Sequence, residues 1–456
     1  MTTAHTPRLD ATANQAGGLL ARWPLDEPLG AHIAGDPQRK PGFSLYARPE
    51  SIEHPVTLDE FASLIRSSQS CIQPTPTFGP GWLVSINYNA GHQIEPSASA
   101  APAANQGPFA TLARIESGYI VNNQTGETTT FGAPPRLLVT SDHRQAFTLG
   151  SAQGLEREAV YTNAVGKAVE LIRAGDVFQV NLTHRLHAAF AGSARALMAS
   201  LAETLRPWHG FYLETPSASQ SEIAAICSLS PELFLDLAPD GLVRTRPMKG
   251  TRPGKTPAAE LELADKDKAE LAMIVDLMRN DLGRVCRFGS VKVTQNRTIE
   301  PHGGTSTTPS LWQGVATVEG TLRDGLDVRD LLAACFPPGS VTGAPKVRAM
   351  QIIDELEPAL GFDDSFPRRG PYCGACGFIG DDGSASLNVA IRTAIITGQS
   401  AGTGRVESGA AHYPVGAGIV ADSDPASEWQ ETLDKAKPFL DLCKSGGEPG
   451  RDITED

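Results

Sequence analysis

The chain has 456 residues, 40% of them hydrophobic and 20% charged, which is enough apolar material for one large folded unit or about three average domains. Its 39 basic and 52 acidic residues leave a net charge of −13, which argues against a nucleic-acid or polybasic membrane role and requires local positive charge or a metal for any anionic substrate. Seven widely spaced cysteines and the lack of a membrane-length apolar run argue against a disulfide framework and a transmembrane helix, and point to the cytoplasm.

Residues 1–18 are polar and carry no apolar leader, so they read as a flexible tail and not as a signal peptide. Residues 19–150 read as an N-terminal subdomain. In it, FGPGWLVSINYN and FATLARIESGYIVNN look like strands on either side of an Ala/Pro/Ser-rich loop over 93–108. The texture changes near residue 155, and 151–443 read as a second unit. EAVYTNAVGKAVELIR has Val160, Ala164, Val165 and Ala168 at helical spacing, followed by a turn at Gly175-Asp176 and a strand. IAAICSLSPELFLDLAPDGLVRTRPMKGTRPG reads as strand, turn at Pro239-Asp240-Gly241, strand, then a Gly/Pro loop. KDKAELAMIVDLMRNDLGRV is expected to be a helix that is apolar nearly all round and mostly buried. APKVRAMQIIDELEP is another, with Pro345 at its first helical position. SLNVAIRTAII alternates as one strand, ASEWQETLDKAKPFLDLC closes the fold as a helix, and 444–456 form a second tail. Hairpin-style strands with helices between groups of them predict an α+β fold.

Several patterns bear on chemistry. Asp267 and Glu270 lie three apart on one predicted helix, and Glu428 and Glu431 three apart on another. This spacing puts each pair on one helix face, so two facing helices would gather hard oxygen ligands suited to Mg²⁺; such pairs also occur on ordinary solvated faces. Lys249 is presented rigidly between Pro247 and Gly250. It is a nucleophile only as the free amine, a form that inward-pointing Arg246, Arg252 and Lys255 would favour; the alternative is a basic surface loop. FPPGSVTGAPK fails the Walker pattern but sets Gly339, Thr342 and Gly343 before a helix N-terminus, where N–H groups suit an anion, or simply cap a helix. Gly416 and Gly418 let a backbone approach a ligand, or mark a bulge. Arg392 falls opposite the apolar face of its strand and needs an anionic partner if that side is buried. Cys373 and Cys376 have CxxC spacing without a second ligand pair, and read as two small residues packed in a strand. Gln179 and Glu232 are polar groups in strand-like segments.

Taken in order, SPELFLDL, RPMKGTRPG, KDKAELAMIVDLMRNDLGRV, FPPGSVTGAPKVRAMQIIDELEP, RGPYCGACGFIG, NVAIRTA and GAGIVADSDPASEWQET resemble the chorismate-utilising enzyme family over about 155–440. The resemblance implies a two-layer antiparallel β-sheet sandwich with flanking helices and the active site between layers, the catalytic part being 151–443. It implies an Mg²⁺ site with Glu270 and Glu431 as direct ligands and Asp267 and Glu428 in support. It assigns Tyr372 and Arg392 to the enolpyruvyl carboxylate, and Thr342, Gly416, Ala417, Gly418 and Lys435 to the surroundings of the ring carboxylate and metal. Glu232 becomes the acid and Lys249 the nucleophile. The PMKGT loop, with Lys249 where the anthranilate-forming branch has Ala, points to the branch that makes 4-amino-4-deoxychorismate for folate synthesis. Gln179 stands where isochorismate-forming relatives place a water-activating Lys, which argues against water as nucleophile. No glutaminase portion is visible, so a separate amidotransferase chain is implied as the ammonia source. One departure is Gln313, which stands where relatives carry a His; His302 lies too far along the chain to be an obvious substitute. The anthranilate-forming branch and a catalytically weakened, partner-binding subunit stay open as alternatives.

Overall fold

The computed structural model describes residues 17–34, 42–69, 79–98, 107–138, 146–217, 219, 221–302, 311–362 and 368–446. Of the expected tails, 1–16 and 447–456 lie outside the described residues, as do 99–106 of the expected loop.

The first third of the chain supplies α1 (Gly17–Arg22), β1 (Gly30–Ala34), β2 (Phe43–Glu53), α2 (Leu58–Ser68), β3 (Gly81–Ile86), α3 (Gly91–Ile94), β4 (Ala110–Asn122), β5 (Thr128–Phe131) and β6 (Phe147–Leu149). Then follow α4 (Glu158–Arg173), β7 (Gln179–Ser193), α5 (Ala194–Leu205), β8 (His209–Glu214), β9 (Ile223–Ser230), β10 (Leu233–Leu237), β11 (Leu242–Arg246) and β12 (Met248–Pro253). Helices α6 (Ala258–Leu263) and α7 (Asp265–Gly283) precede β13 (Lys292–His302) and β14 (Leu311–Thr321). The last part holds α8 (Val328–Cys335), β15 (Gly343–Ala344), α9 (Lys346–Leu356), β16 (Ala375–Gly380), β17 (Ala385–Val389), β18 (Thr393–Ser400), β19 (Arg405–Ile419) and α10 (Pro425–Lys444).

Strand backbones must find partners for every N–H and C=O, and here they do so in one antiparallel ladder. It runs β13, β14, β11, β10, β17, β16, β3, β4, β2, β1, β8, β9, β18, β19, β7. Strand β12 also joins β14, and the two-residue β15 joins β7. The strands from residues 19–150 therefore lie mid-ladder, paired through β3–β16 and β1–β8 with strands of 151–443. The ladder folds back into two layers. Leu45, Leu83, Phe211, Ile226 and Phe378 pack between them, and the Asn388 amide donates to His209 O across the gap at 2.7 Å. Helices α1, α5 and α10 cover one apolar core, and α4, α7, α8 and α9 share another with β7, β19 and β14.

Local readings need correction at several points; the expected Gly/Pro loop after Arg246, for one, contains strand β12. Val160 is 43% exposed; the buried face of α4 is Tyr161, Ala164, Val165, Ala168, Val169 and Ile172. Helix α7 buries one stripe, Leu271, Ile274, Val275, Met278 and Leu282, while Met273 and Leu277 are only half-buried. Pro345 is the N-cap residue of α9 and not its first helical residue; the Ala344–Pro345 peptide is cis. The expected strand over 386–396 is two strands, broken at Ala390–Arg392, where Arg392 adopts φ 52°.

One buried ion pair ties these pieces together. Arg369, 1% exposed, donates to both oxygens of Glu357, to Val341 O at 2.9 Å and to Asn181 O at 2.6 Å. Glu357 also accepts the Thr183 N–H at 3.0 Å, and the guanidinium lies 4.3 Å from the Tyr88 ring centre. Removing one partner of such a pair strands the other charge in the interior, at a cost of ~3–5 kcal/mol. Arg369→Leu is expected to lower the unfolding free energy by about that much, read as a reduced urea midpoint at unchanged slope.

Candidate active site

Glu232 follows β9 in a tight turn. The Ser230 hydroxyl accepts the Glu232 N–H at 3.1 Å, and Glu232 O accepts from Val389 at 3.1 Å. This anchoring leaves the carboxyl pointing inward, 3% exposed. Burial pushes it up to about 7, against the opposing pull of the Ser340 hydroxyl, Lys249 and the Met248 N–H. It is therefore a carboxyl that carries its proton near neutrality.

Lys249 lies on β12 opposite Gly314, where the register slips before Thr251 and Gly250 takes φ 81°. A side chain at 250 would collide with Asp267 and Leu261, so only glycine permits this close approach of β12 to α7. Lys249 Nζ reaches β19: a Cβ placed on Gly418 would lie 2.9 Å from it and 3.1 Å from Gln179 Nε2. The expected cationic neighbours do not surround this amine. Arg252 pairs with Asp267 at 2.8 Å, Arg246 with Glu300 at 2.6 Å, and Lys255 is exposed. Carboxylates face it instead: its charge lowers the pKa values of Glu232, Glu270 and Glu431.

Helices α7 and α10 do bring the four expected acids to one place, but without a formed cage. Among the described residues no three acidic, His or Cys side chains converge closely enough to hold an ion. Asp267 is held by Arg252, Glu428 accepts the Ser423 hydroxyl at 2.6 Å, and Glu431 pairs with Lys435 at 2.7 Å. Burial raises the pKa of Glu270, with Asp267 and Glu431 adding repulsion, and burial and Glu431 raise that of Glu428. Carboxylates from two helices that repel one another are a hard-oxygen set whose chemistry fits a divalent cation.

Gln179 is fully buried, and neither atom of its amide finds a partner among the described residues. A buried orphan amide is costly unless a ligand or water satisfies it. Lys435 also donates to Gly416 O at 2.9 Å. Gly416 packs against Leu182 O and Thr183 Oγ1, leaving no room for a side chain, and Ala417 turns its methyl into the core. Thr342 is buried and gives its hydroxyl to Pro338 O at 2.8 Å. The expected anion loop is closed: Gly339–Val341 forms a 3-10 turn and Gly343 pairs with β7. Tyr372 is buried next to Cys373, whose pKa feels Glu232. Arg392 has no ion-pair partner among the described residues, and its charge acts on the buried Tyr413 hydroxyl. Cys373 and Cys376 are buried free thiols; Cys376 packs in β16 with its Sγ 3.3 Å from Ser85 Oγ, as expected, but Cys373 lies in the turn before that strand with φ 60°.

Three groups escaped the sequence reading. Lys266 faces Glu270, Glu428 and Glu431, and its position four residues before Glu270 was the available signal. Ser340 binds Glu232 from a string read only for glycine and threonine. His302 is not remote from position 313. The β13–β14 register sets Glu300 opposite Gln313 and His302 opposite Leu311, so His302 is a diagonal neighbour. Gln313 is 6% exposed, and its amide oxygen has no partner among the described residues.

Comparison with known proteins agrees with this architecture. The family model for chorismate binding enzyme matches residues 43–441. The chain is 34% identical over 408 residues to an anthranilate synthase component 1 of Haloarcula marismortui, covering 81% of this chain and 76% of that one. It is 35% identical over 395 residues to aminodeoxychorismate synthase component 1 of Klebsiella aerogenes, covering 82% and 80%. Other relatives are matched over only 51% to 60% of their own length. The crystal structure of anthranilate synthase component I from Streptococcus pneumoniae superposes with a TM-score of 0.68 at 26% identity, covering 88% of this chain and 92% of that one. The match across nearly the whole chain, over strands and helices that build one cleft, makes this protein a member of the chorismate-binding enzyme family.

Proposed function

We propose that this chain aminates chorismate to 4-amino-4-deoxychorismate, in the cytoplasm, using ammonia from a separate glutaminase chain and Mg²⁺. The observation that supports this most directly is Lys249 Nζ at the Gly418–Gln179 wall, with the buried Glu232 carboxyl facing it. Among the described residues no helix is long and apolar enough to cross a membrane.

In this reading the protonated Glu232 gives its proton to the departing 4-hydroxyl. Lys249, once its ammonium has lost a proton to solvent, attacks C2; both conjugated ring double bonds shift by one position, and the C4–O bond breaks with loss of water. Ammonia then adds at C4, both double bonds shift back, and the C2–N bond breaks to release Lys249. Protons shed by the two amines return to Glu232 and solvent, so the acid is restored. Arg392, with no protein anion at hand, and Tyr372 hold the side-chain carboxylate. Glu270 and Glu431, with Glu428 and Asp267 in support, would hold the Mg²⁺, which supplies positive charge for the ring carboxylate. A dianionic substrate thereby becomes tolerable in a chain of net charge −13.

The second reading, anthranilate formation, is favoured by relatives of that name at similar identity. Lys249 separates the two. Purified chain with chorismate, Mg²⁺ and ammonium salt should yield aminodeoxychorismate on mass detection, convertible to para-aminobenzoate by an added lyase. A fluorescent anthranilate peak would sink the proposal. No turnover with ammonium, with or without a glutaminase, would favour the weakened-subunit alternative, for which Gln313 is the motive. Lys249→Ala should redirect nitrogen to C2 or abolish turnover; undiminished aminodeoxychorismate from that variant would remove the covalent step. Because the raised Glu232 pKa keeps the acid form below about 7, kcat should fall as pH rises through that value. Glu232→Gln should cost about 10²–10⁴-fold in kcat and flatten that limb of the profile.

A further inference from the structure

His184 stands on β7 beneath the first turns of α10, apart from every group assigned above. Its ring is buried, with its centre 4.5 Å from that of Trp429 and 5.1 Å from that of Tyr161. Its Nε2 lies 2.8 Å from Thr432 Oγ1. The Thr432 hydroxyl owns one proton, which it gives to Trp429 O at 2.7 Å. Oγ1 must then accept from the ring, so Nε2 carries the imidazole proton. Nδ1 is left as a bare acceptor, and no donor among the described residues meets it. The neutral ring is also what burial demands, pushing its pKa down to about 3.

Trp429 and Thr432 are each one residue on from Glu428 and Glu431. Residues three apart share a helix face, so the pair that touches His184 fixes the rotation of the pair that carries the carboxylates. The register of β7 is set in turn by Glu357, which binds the neighbouring Thr183 N–H. We propose that His184 is a positioning residue. As the neutral Nε2–H tautomer it locks α10 through Thr432 and so aims Glu428 and Glu431 at Glu270 on α7.

This inference rests on the metal reading above, and its test uses Mn²⁺ alone as the probe. The full chain would be titrated with Mn²⁺ and free ion followed by electron paramagnetic resonance, without substrate. Thr432→Val keeps the side-chain shape and removes the acceptor; it should weaken Mn²⁺ binding by about tenfold or more, as loss of a ligand-orienting partner does. Thr432→Ser should restore binding to near the wild-type value. Because His184→Phe risks misfolding, the ring is read directly in the wild type, where long-range ¹H–¹⁵N correlation should show the proton on Nε2. Wild-type affinity in Thr432→Val, a Thr432→Ser as weak as Thr432→Val, or a proton on Nδ1 would each overturn the proposal. A wild-type chain that takes up no Mn²⁺ would overturn the metal reading and this inference with it.

Discussion

The Arg369–Glu357 pair is the constraint on which the cleft depends. A guanidinium and a carboxylate taken out of water are unfavourable unless every donor and lone pair is answered. Here the answers come from three separate places: β7 through Asn181 O and Thr183 N, the Val341 turn, and the Tyr88 ring. Two of these segments carry a site residue one or two positions away: Thr342 follows Val341 and Gln179 precedes Asn181 by two; Gly416 of β19 pairs across to Thr183. The charge pair thus acts as a template: satisfying it places the backbone that lines the substrate wall.

The electrostatics of the cleft follow from an imbalance. Acidic groups on α7 and α10 are brought together by helix packing, and the charges that answer them are Lys249, Lys266 and Lys435. Glu232 lies on the other side of Lys249, in a buried turn where only Ser340, one backbone N–H and that lysine oppose its protonation. Lys249 therefore sits between Glu232, which burial pushes toward its neutral form, and Glu431, which Lys435 holds toward its charged form.

Much of this was legible in the sequence, for identifiable reasons. Strands over FGPGWLVSINYN and FATLARIESGYIVNN, and the acids of α7 and α10, follow from periodicity, which local sequence records. Direction and partnership do not. Arg246, Arg252 and Lys255 neighbour Lys249 along the chain, yet two of them turn to Glu300 and Asp267 because strand alternation and the helix beside β12 decide where they point. The apolar alternation of SLNVAIRTAII is real but does not reveal the break at Arg392, whose left-handed backbone is imposed by tertiary packing. His302 reaches position 313 only through hairpin register.

The order of strands in the ladder bears on how such a chain is assembled. Strand β3 has β16 on one side, so Leu83 waits for Phe378 to be synthesised, and β1 waits likewise for β8. Early strands are thus born with one edge unsatisfied and the partner far downstream. Pairings so distant in sequence slow folding and prolong the time in which exposed edges can meet those of another chain. The same arrangement leaves no point near residue 150 at which the protein could be cut into two independently folding pieces, since each would expose several unpaired strands.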